Sequence, residues 1–315
     1  MSELELTRLV ECVPNVSEGR RPEVVEEIVA AFAVPGVLVL DRSSDPDHHR
    51  TVITLMGPGP ALVEGAVAGA EACARLIDLN QHRGVHPRMG ALDVLPFVPF
   101  GAETRLRGGD DPDLDCADLA ERAGRRIAGE AGIPVYLYGA AAHHPGWAAL
   151  PAVRGRGFEA LRADPPEPDF GGPGLHPTAG ATAAGAREVL IAYNVELAGA
   201  DLDLARRIAS AVRERDGGLP AVRAMGVPLA NRKLVQVSMN LLDWRATPPA
   251  AAFAAVAGLA ERAGARVEAS EIVGLVPAGA MEGVDPADLR LRDFTPDVFL
   301  ESRLLQVLTT VKENR

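Results

Sequence analysis

The order of apolar runs constrains this chain more than any other feature. Strand-like and helix-like runs follow the series strand, helix, strand, strand, helix, strand, and the series occurs twice. In the first round the pattern predicts strands at Leu9–Val16, Gly36–Leu40, Thr51–Met56 and Val94–Phe100, with helices at Pro22–Phe32 and Ala61–Leu79. In the second it predicts strands at Val189–Val195, Ala221–Val227, Leu234–Leu241 and Val267–Val276, with helices at Leu202–Val212 and Ala250–Ala263. This is the split βαβ order, which predicts an α/β (α+β) chain built from two ferredoxin-like βαββαβ subdomains. A duplication accounts for the repeat: Pro14-Asn15-Val16 and Tyr193-Asn194-Val195 each close the first strand of their half. A further helix near Asp115–Gly129 and a strand at Pro134–Tyr138 follow the first round, and a small helical tail covers Pro286–Lys312. Asp164–Gly180 holds five prolines and four glycines, too many for regular structure, and reads as the inter-domain connection. The expected subdomains are therefore 1–180 and 181–315.

Composition narrows the function classes. A chain of 315 residues with 47% apolar content has ample material for two cores, and only 4% aromatics means that Ala, Val and Leu must fill them. The formal net charge of −11 argues against a general partner of nucleic acid or anionic membrane, so an anionic ligand needs a local arginine cluster. Three widely spaced cysteines, Cys12, Cys73 and Cys116, fit a reducing cytoplasm, and no signal segment or long apolar span precedes or interrupts the pattern.

The chemistry concentrates in Asp78–Pro99. Gly84 and Pro87 oppose helix there, so His86 is expected on a turn beside Arg88, where an imidazole that titrates near neutrality suits proton transfer on an anionic substrate. His82 and His86 are four apart, but Arg83 stands where a zincin carries Glu and the arginines oppose a divalent cation, so no metal is expected. Asp45-Pro-Asp-His-His-Arg50 is a turn that brings His49 and Arg50 to a strand's start, where the arginine fork suits a carboxylate. In Cys12–Arg20, Ser17 reads as an N-cap, or Asn15, Ser17 and backbone N–H groups read as a carboxylate site at a helix start. His143-His144-Pro145 reads as a solvated loop. There is no phosphate-loop spacing, nucleophile elbow or reactive-cysteine setting, which leaves acid–base catalysis without a covalent enzyme intermediate.

Cys12–Gly19, His86–Asp93, Val135–Gly139, Pro168–Gly171, Gly180–Arg187, Gln236–Asp243 and Val273–Pro277, taken together and in order, resemble the glutamate formiminotransferase family. The resemblance implies two ferredoxin-like subdomains and transfer of the formimino group of N-formimino-L-glutamate to N5 of tetrahydrofolate in histidine degradation. It assigns the catalytic imidazole to His86 within His86-Pro-Arg-Met-Gly90. Arg50 and Arg88 would hold substrate carboxylates, and Asp93 would orient the histidine or an arginine. The folate-contacting loop falls on Gly171, Gly172, Gly174, Leu175, His176, Pro177, Thr178, Ala179 and Gly180. Two departures stand out: Ala179 where some members have Trp, removing a ring for folate to stack on, and His49 where relatives often have Asn. A homodimer is implied, and, without the cyclodeaminase half of the animal enzymes, a separate cyclodeaminase. Formyl transfer between 5-formyltetrahydrofolate and glutamate, a folate-binding protein without turnover, and a metal-dependent hydrolase using His82 and His86 are the rival readings.

Overall fold

The computed structural model describes residues 3–46, 48–83, 88–155, 157–229, 232 and 234–313. The chain divides into two compact units, Met1–Arg187 and Glu188–Arg315.

In the first unit a short helix α1 (Glu3–Leu6) leads into β1 (Leu9–Cys12) and β2 (Asn15–Val16). These are one line of chain broken at Val13-Pro14, because proline has no N–H to give to a ladder. The break is still used: Pro14 O accepts from Ile53 N at 3.0 Å, and Val13 N donates to Pro96 O at 3.1 Å. Next come α2 (Pro22–Phe32), β3 (Leu38–Asp45), β4 (Arg50–Pro58), α3 (Gly59–Leu76) and β5 (Leu92–Pro99). The broken strand lies between β4 and β5, antiparallel to both, and β3 pairs antiparallel with β4. The chain continues through α4 (Cys116–Glu130), β6 (Val135–Gly139), α5 (Leu150–Arg154), α6 (Gly157–Ala163) and β7 (Thr182–Ala186). β7 inserts between β5 and β6 and runs parallel to both.

Alternation along these strands makes two apolar layers. Val135, Leu137, Ala184, Leu95 and Phe97 join Phe32, Ile53, Leu62, Leu119 and Ile127 in the main core under α2, α3 and α4. Residues of the opposite parity, Tyr136, Tyr138, Ala183 and Val94, pack with Met89, Val153 and Leu161 in a second cluster. The three cysteines are buried as free thiols, Cys12, Cys73 and Cys116 all serving as small core residues.

The second unit contains β8 (Ile191–Ala198), α7 (Leu202–Val212), β9 (Val222–Leu229), β10 (Leu234–Leu241), α8 (Pro249–Arg262) and β11 (Arg266–Val273). Its sheet runs β11-β8-β10-β9, all antiparallel, so both units share the β-α-β-β-α-β order and place the first strand of the series between the third and fourth. Tyr193, Val195, Val237, Met239, Ala252 and Val256 form its core. The expected tail helix over Pro286–Lys312 is shorter: the α-helix α9 spans Leu300–Glu313, after the 3-10 turn Pro296–Val298. No described helix is long and apolar enough to cross a membrane.

Two expectations are corrected. The division between units falls after Arg187 rather than Gly180, because β7 is a strand of the first sheet. And Asp164–Gly180 is not an inter-domain connection but folds back on the first unit. Phe170 and Val135 exchange backbone hydrogen bonds, His176 and Gly180 close a tight turn, and Ala181 N donates to Met89 O at 3.0 Å. That last contact brings Gly90 and Gly180 backbone to backbone. A Cβ on Gly180, whose φ is +71, would lie 2.2 Å from Met89 O. Gly180→Ala should therefore lower stability by about 2–4 kcal/mol, read as a drop in the urea midpoint with an unchanged slope.

Candidate functional site

Strand register builds the centre of the site. Asn15 on β2 pairs with Val52 on β4 and Val94 on β5, and the ladder is irregular beside it. Arg50, Asn15 and Asp93 consequently come together from three adjoining strands. Asp93 is 0% exposed. Its Oδ2 accepts from Arg50 at 2.9 Å and from Arg154 at 3.2 Å, and its Oδ1 accepts from Met89 N at 2.8 Å. Arg50 Nε also donates to Asn15 Oδ1 at 3.0 Å, and Asn15 Nδ2 donates to Val13 O at 2.8 Å. Burial pushes the Arg50 guanidinium down to about 10, Asp93 opposing the shift and Arg154 adding to it, so Arg50 stays charged at neutral pH. Among the described residues Asp93 thus holds two arginines.

A second cluster stands at the turn before α2. Ser17 does not cap that helix: its Oγ donates to Gly90 O at 2.7 Å. The carboxylate of Glu18, 1% exposed, takes the N–H groups of Gly19 (3.0 Å), Arg20 (2.8 Å) and Arg21 (3.1 Å), so the helix-start anion site holds one of the chain's own side chains. Burial raises the Glu18 pKa, but these N–H groups and the Arg21 guanidinium outweigh it and hold the carboxyl below its ordinary value. Gly19 N also reaches His49 Nδ1 at 3.2 Å. His49 has a left-handed backbone, φ 53, and stacks on His82 with ring centroids 4.2 Å apart. His82 is 5% exposed and places Nε2 3.0 Å from His49 O. Burial pushes His82 down to about 4, partly offset by the bond to His49 O and reinforced by the charge of Arg88. His49 is lowered too, first by burial.

The Gly/Pro-rich loop closes around the same region. Leu79 N donates to Thr178 O at 2.9 Å, Asn80 Nδ2 to Pro177 O at 3.1 Å, and Ala91 N to Ala179 O at 2.8 Å. His176 Nδ1 accepts from Ala179 N at 3.0 Å, which folds Leu175–Gly180 tightly, while Gly171 lies against Pro134. Ala179 is fully buried in the main core. Gly172 and Gly174 have open space where a side chain would be. Arg88 spends its fork on Glu159, at 2.7 and 3.2 Å. His86 lies outside the described residues, but Leu79–Asn80 before it and Met89–Ala91 after it are both tied to the loop segment that ends at Ala181. His143 sits apart, between Glu121 and Asp169 at 3.2 Å each.

Sequence reasoning did not find Glu18, Arg154, Glu159 or the burial of His82. Arg154 and Glu159 carry no local pattern. Glu18 was legible in principle, as the only acid in Pro14–Arg21 able to reach three successive N–H groups ahead of Pro22.

Asp93→Asn leaves two guanidiniums without their carboxylate and should cost about 3–5 kcal/mol in urea unfolding. The histidines set a pH dependence. His82 titrates near 6.5 when unfolded and at about 4 when folded, so the unfolded chain takes up the proton first as pH falls. Its stabilising share is complete above about 6.5 and declines toward 4, by on the order of 3 kcal/mol. Urea unfolding from pH 7 to pH 4 should show this decline, and His82→Gln should flatten it.

Residues 9–187 match the family model described as the N-terminal subdomain of the formiminotransferase domain, and residues 192–292 match the model described as the formiminotransferase domain. A glutamate formimidoyltransferase of Thermoplasma acidophilum is 43% identical, over 94% of this chain and 97% of its own length. One of Streptococcus pyogenes serotype M1 is 38% identical, over 92% of this chain and 96% of its own. The formimidoyltransferase-cyclodeaminase of Gallus gallus is 42% identical, over 91% of this chain and 53% of its own length. A match to both domain models in sequence order, with near-complete overlap of two relatives, means that this chain belongs to the formiminotransferase family.

Proposed function

We propose that the chain is a glutamate formimidoyltransferase that moves the formimino group of N-formimino-L-glutamate to N5 of tetrahydrofolate. The observation that carries this reading is the pair of full-length relatives that bear that name. The backbone ties between Leu175–Gly180 and both flanks of residues 84–87 support it. They tie the loop expected to meet folate to Leu79–Asn80 and Ala91, described residues that precede and follow that segment in the sequence.

In the proposed reaction, N5 attacks the amidine carbon and a tetrahedral adduct forms. His86 takes the proton from N5, then returns it to the departing glutamate nitrogen as the carbon–nitrogen bond to glutamate breaks. The arginines divide their work. Arg50, locked by Asp93 and Asn15, is a fixed charge and not a swinging clamp. Arg88 is paired with Glu159, which is 68% exposed at its side chain. Arg88 itself is only 14% exposed, so it is the open Glu159 carboxylate that a substrate carboxylate can replace. The buried thiols suit a reducing compartment, and we assign the protein to the cytoplasm, as a homodimer.

His86→Ala should leave the thermal midpoint close to that of the wild type and lower kcat by about 10²–10⁴-fold in a transfer assay with formiminoglutamate and tetrahydrofolate. Retention of near-normal kcat by a folded His86→Ala protein removes the mechanism. Activity should also survive exhaustive chelation; its loss, restored by a divalent metal, would favour the hydrolase reading instead.

A further inference from the structure

His82 has no part in the proton transfer assigned to His86, yet folding has shut it away with half its polarity unanswered. Its Nε2 lies 3.0 Å from His49 O, and a carbonyl only accepts, so Nε2 carries the hydrogen and Nδ1 of the neutral ring keeps a lone pair. That Nδ1 is buried and has no hydrogen-bond partner among the described residues. Leaving a buried acceptor unanswered costs free energy, and such groups in native folds call for an explanation. The ring cannot simply turn to find a donor, because it stacks on His49 at an interplanar angle of 26° while Nε2 is bonded. His49 is itself held by Gly19 N. Burial and the nearby charge of Arg88 keep His82 neutral at physiological pH, so the lone pair persists.

The position is also telling. Three residues before His82, Leu79 is bonded to the Gly/Pro-rich loop at Thr178. Arg88 NH2 reaches His82 O at 3.5 Å, and Arg88 Nε is likewise buried without a partner. An unused acceptor and an unused donor thus sit on two residues that lie against each other.

Resting on the transferase reading above, we propose that His82 Nδ1 is a specificity-determining acceptor that reads the terminal nitrogen of the transferred group. A formimino group presents N–H at that atom, which donates to the imidazole lone pair. A formyl group presents oxygen there, whose lone pairs meet the imidazole's and are repelled. One atom of the ring thereby favours amidine donors over amide donors. Because Nδ1 is closed to solvent, the ligand reaches it with a local rearrangement, and Arg88, paired to an exposed Glu159, is the neighbouring side chain able to make one.

Two substitutions separate this role from a structural one. His82→Gln keeps a donor at the place of Nε2 and deletes the acceptor at Nδ1, while His82→Asn keeps an acceptor at the place of Nδ1 and deletes the donor. The readout is the ratio of kcat/KM for N-formimino-L-glutamate to that for N-formyl-L-glutamate, with tetrahydrofolate as common acceptor. The ratio should fall by about 10–100-fold in His82→Gln and be retained in His82→Asn. An unchanged ratio in His82→Gln, or an equal fall in both variants, overturns the proposal. Nitrogen-15 resonances of the histidines in the wild-type protein give a test that needs no variant. The Nδ1 resonance of His82 should move to its hydrogen-bonded position with saturating formiminoglutamate and stay put with formylglutamate; no movement with the first also overturns it. A wild-type protein that transfers neither group would refute the transferase reading instead, and the resonance titration would still decide on His82.

Discussion

The buried carboxylate of Asp93 is the interaction on which the first unit's arrangement depends. It sits on β5 and reaches Arg50 on β4, Arg154 at the end of α5 and the backbone of Met89. A charge that deep is tolerable only when answered by opposite charge and N–H groups, and once answered it fixes where its partners can be. Arg50 in turn fixes Asn15. The carboxylate thus ties the sheet, the helical cover of its second layer and the stretch leading into the Gly90–Gly180 contact. These side chains are held by the electrostatics of a group that could not be buried otherwise.

The two clusters of the site follow different physical logic. Around Asp93, charge is concentrated and matched. Around His49 and His82, charge is suppressed: burial and neighbouring guanidiniums hold both rings neutral, and Glu18, which offers a counter-charge, is spent on the N–H groups ahead of α2. A fixed charge binds an anion, whereas a neutral imidazole pair can discriminate between donors and acceptors. A one-carbon transfer between two nitrogen atoms has use for both.

Much of the fold was legible in the sequence because periodicity and core burial agree. Pro22–Phe32, Leu202–Val212 and Leu234–Leu241 carry strong helical or alternating patterns and form the elements those patterns predict. β7 was not legible. Thr182-Ala-Ala-Gly-Ala186 has no β-branched or aromatic residue beyond its threonine, and its pairing depends on neighbours that sequence cannot supply. Missing that strand displaced the boundary between units and made the preceding loop look like a connection. At the site, Asn15 and Arg50 are legible from turn and strand positions and Asp93 from the family resemblance, but Arg154 is not. A buried acid's second partner is chosen in three dimensions, and Pro151-Ala-Val-Arg154 reads like any short helix. Ala179 offers no ring for a folate to stack on; its methyl group fills the main core and its carbonyl serves Ala91.

The proline in the first strand separates two units that share one order of strands and helices. β8, its counterpart, runs eight residues without interruption, and Asn194 is a regular rung paired with Ser238 and Glu271. Asn15 stands just past a gap in the ladder, where its amide turns to Val13 and Arg50. At Asn194 the second unit keeps a regular rung on both sides. In the first unit the missing proline N–H leaves a gap, and the polar side chains of Asn15 and Arg50 are arranged around it.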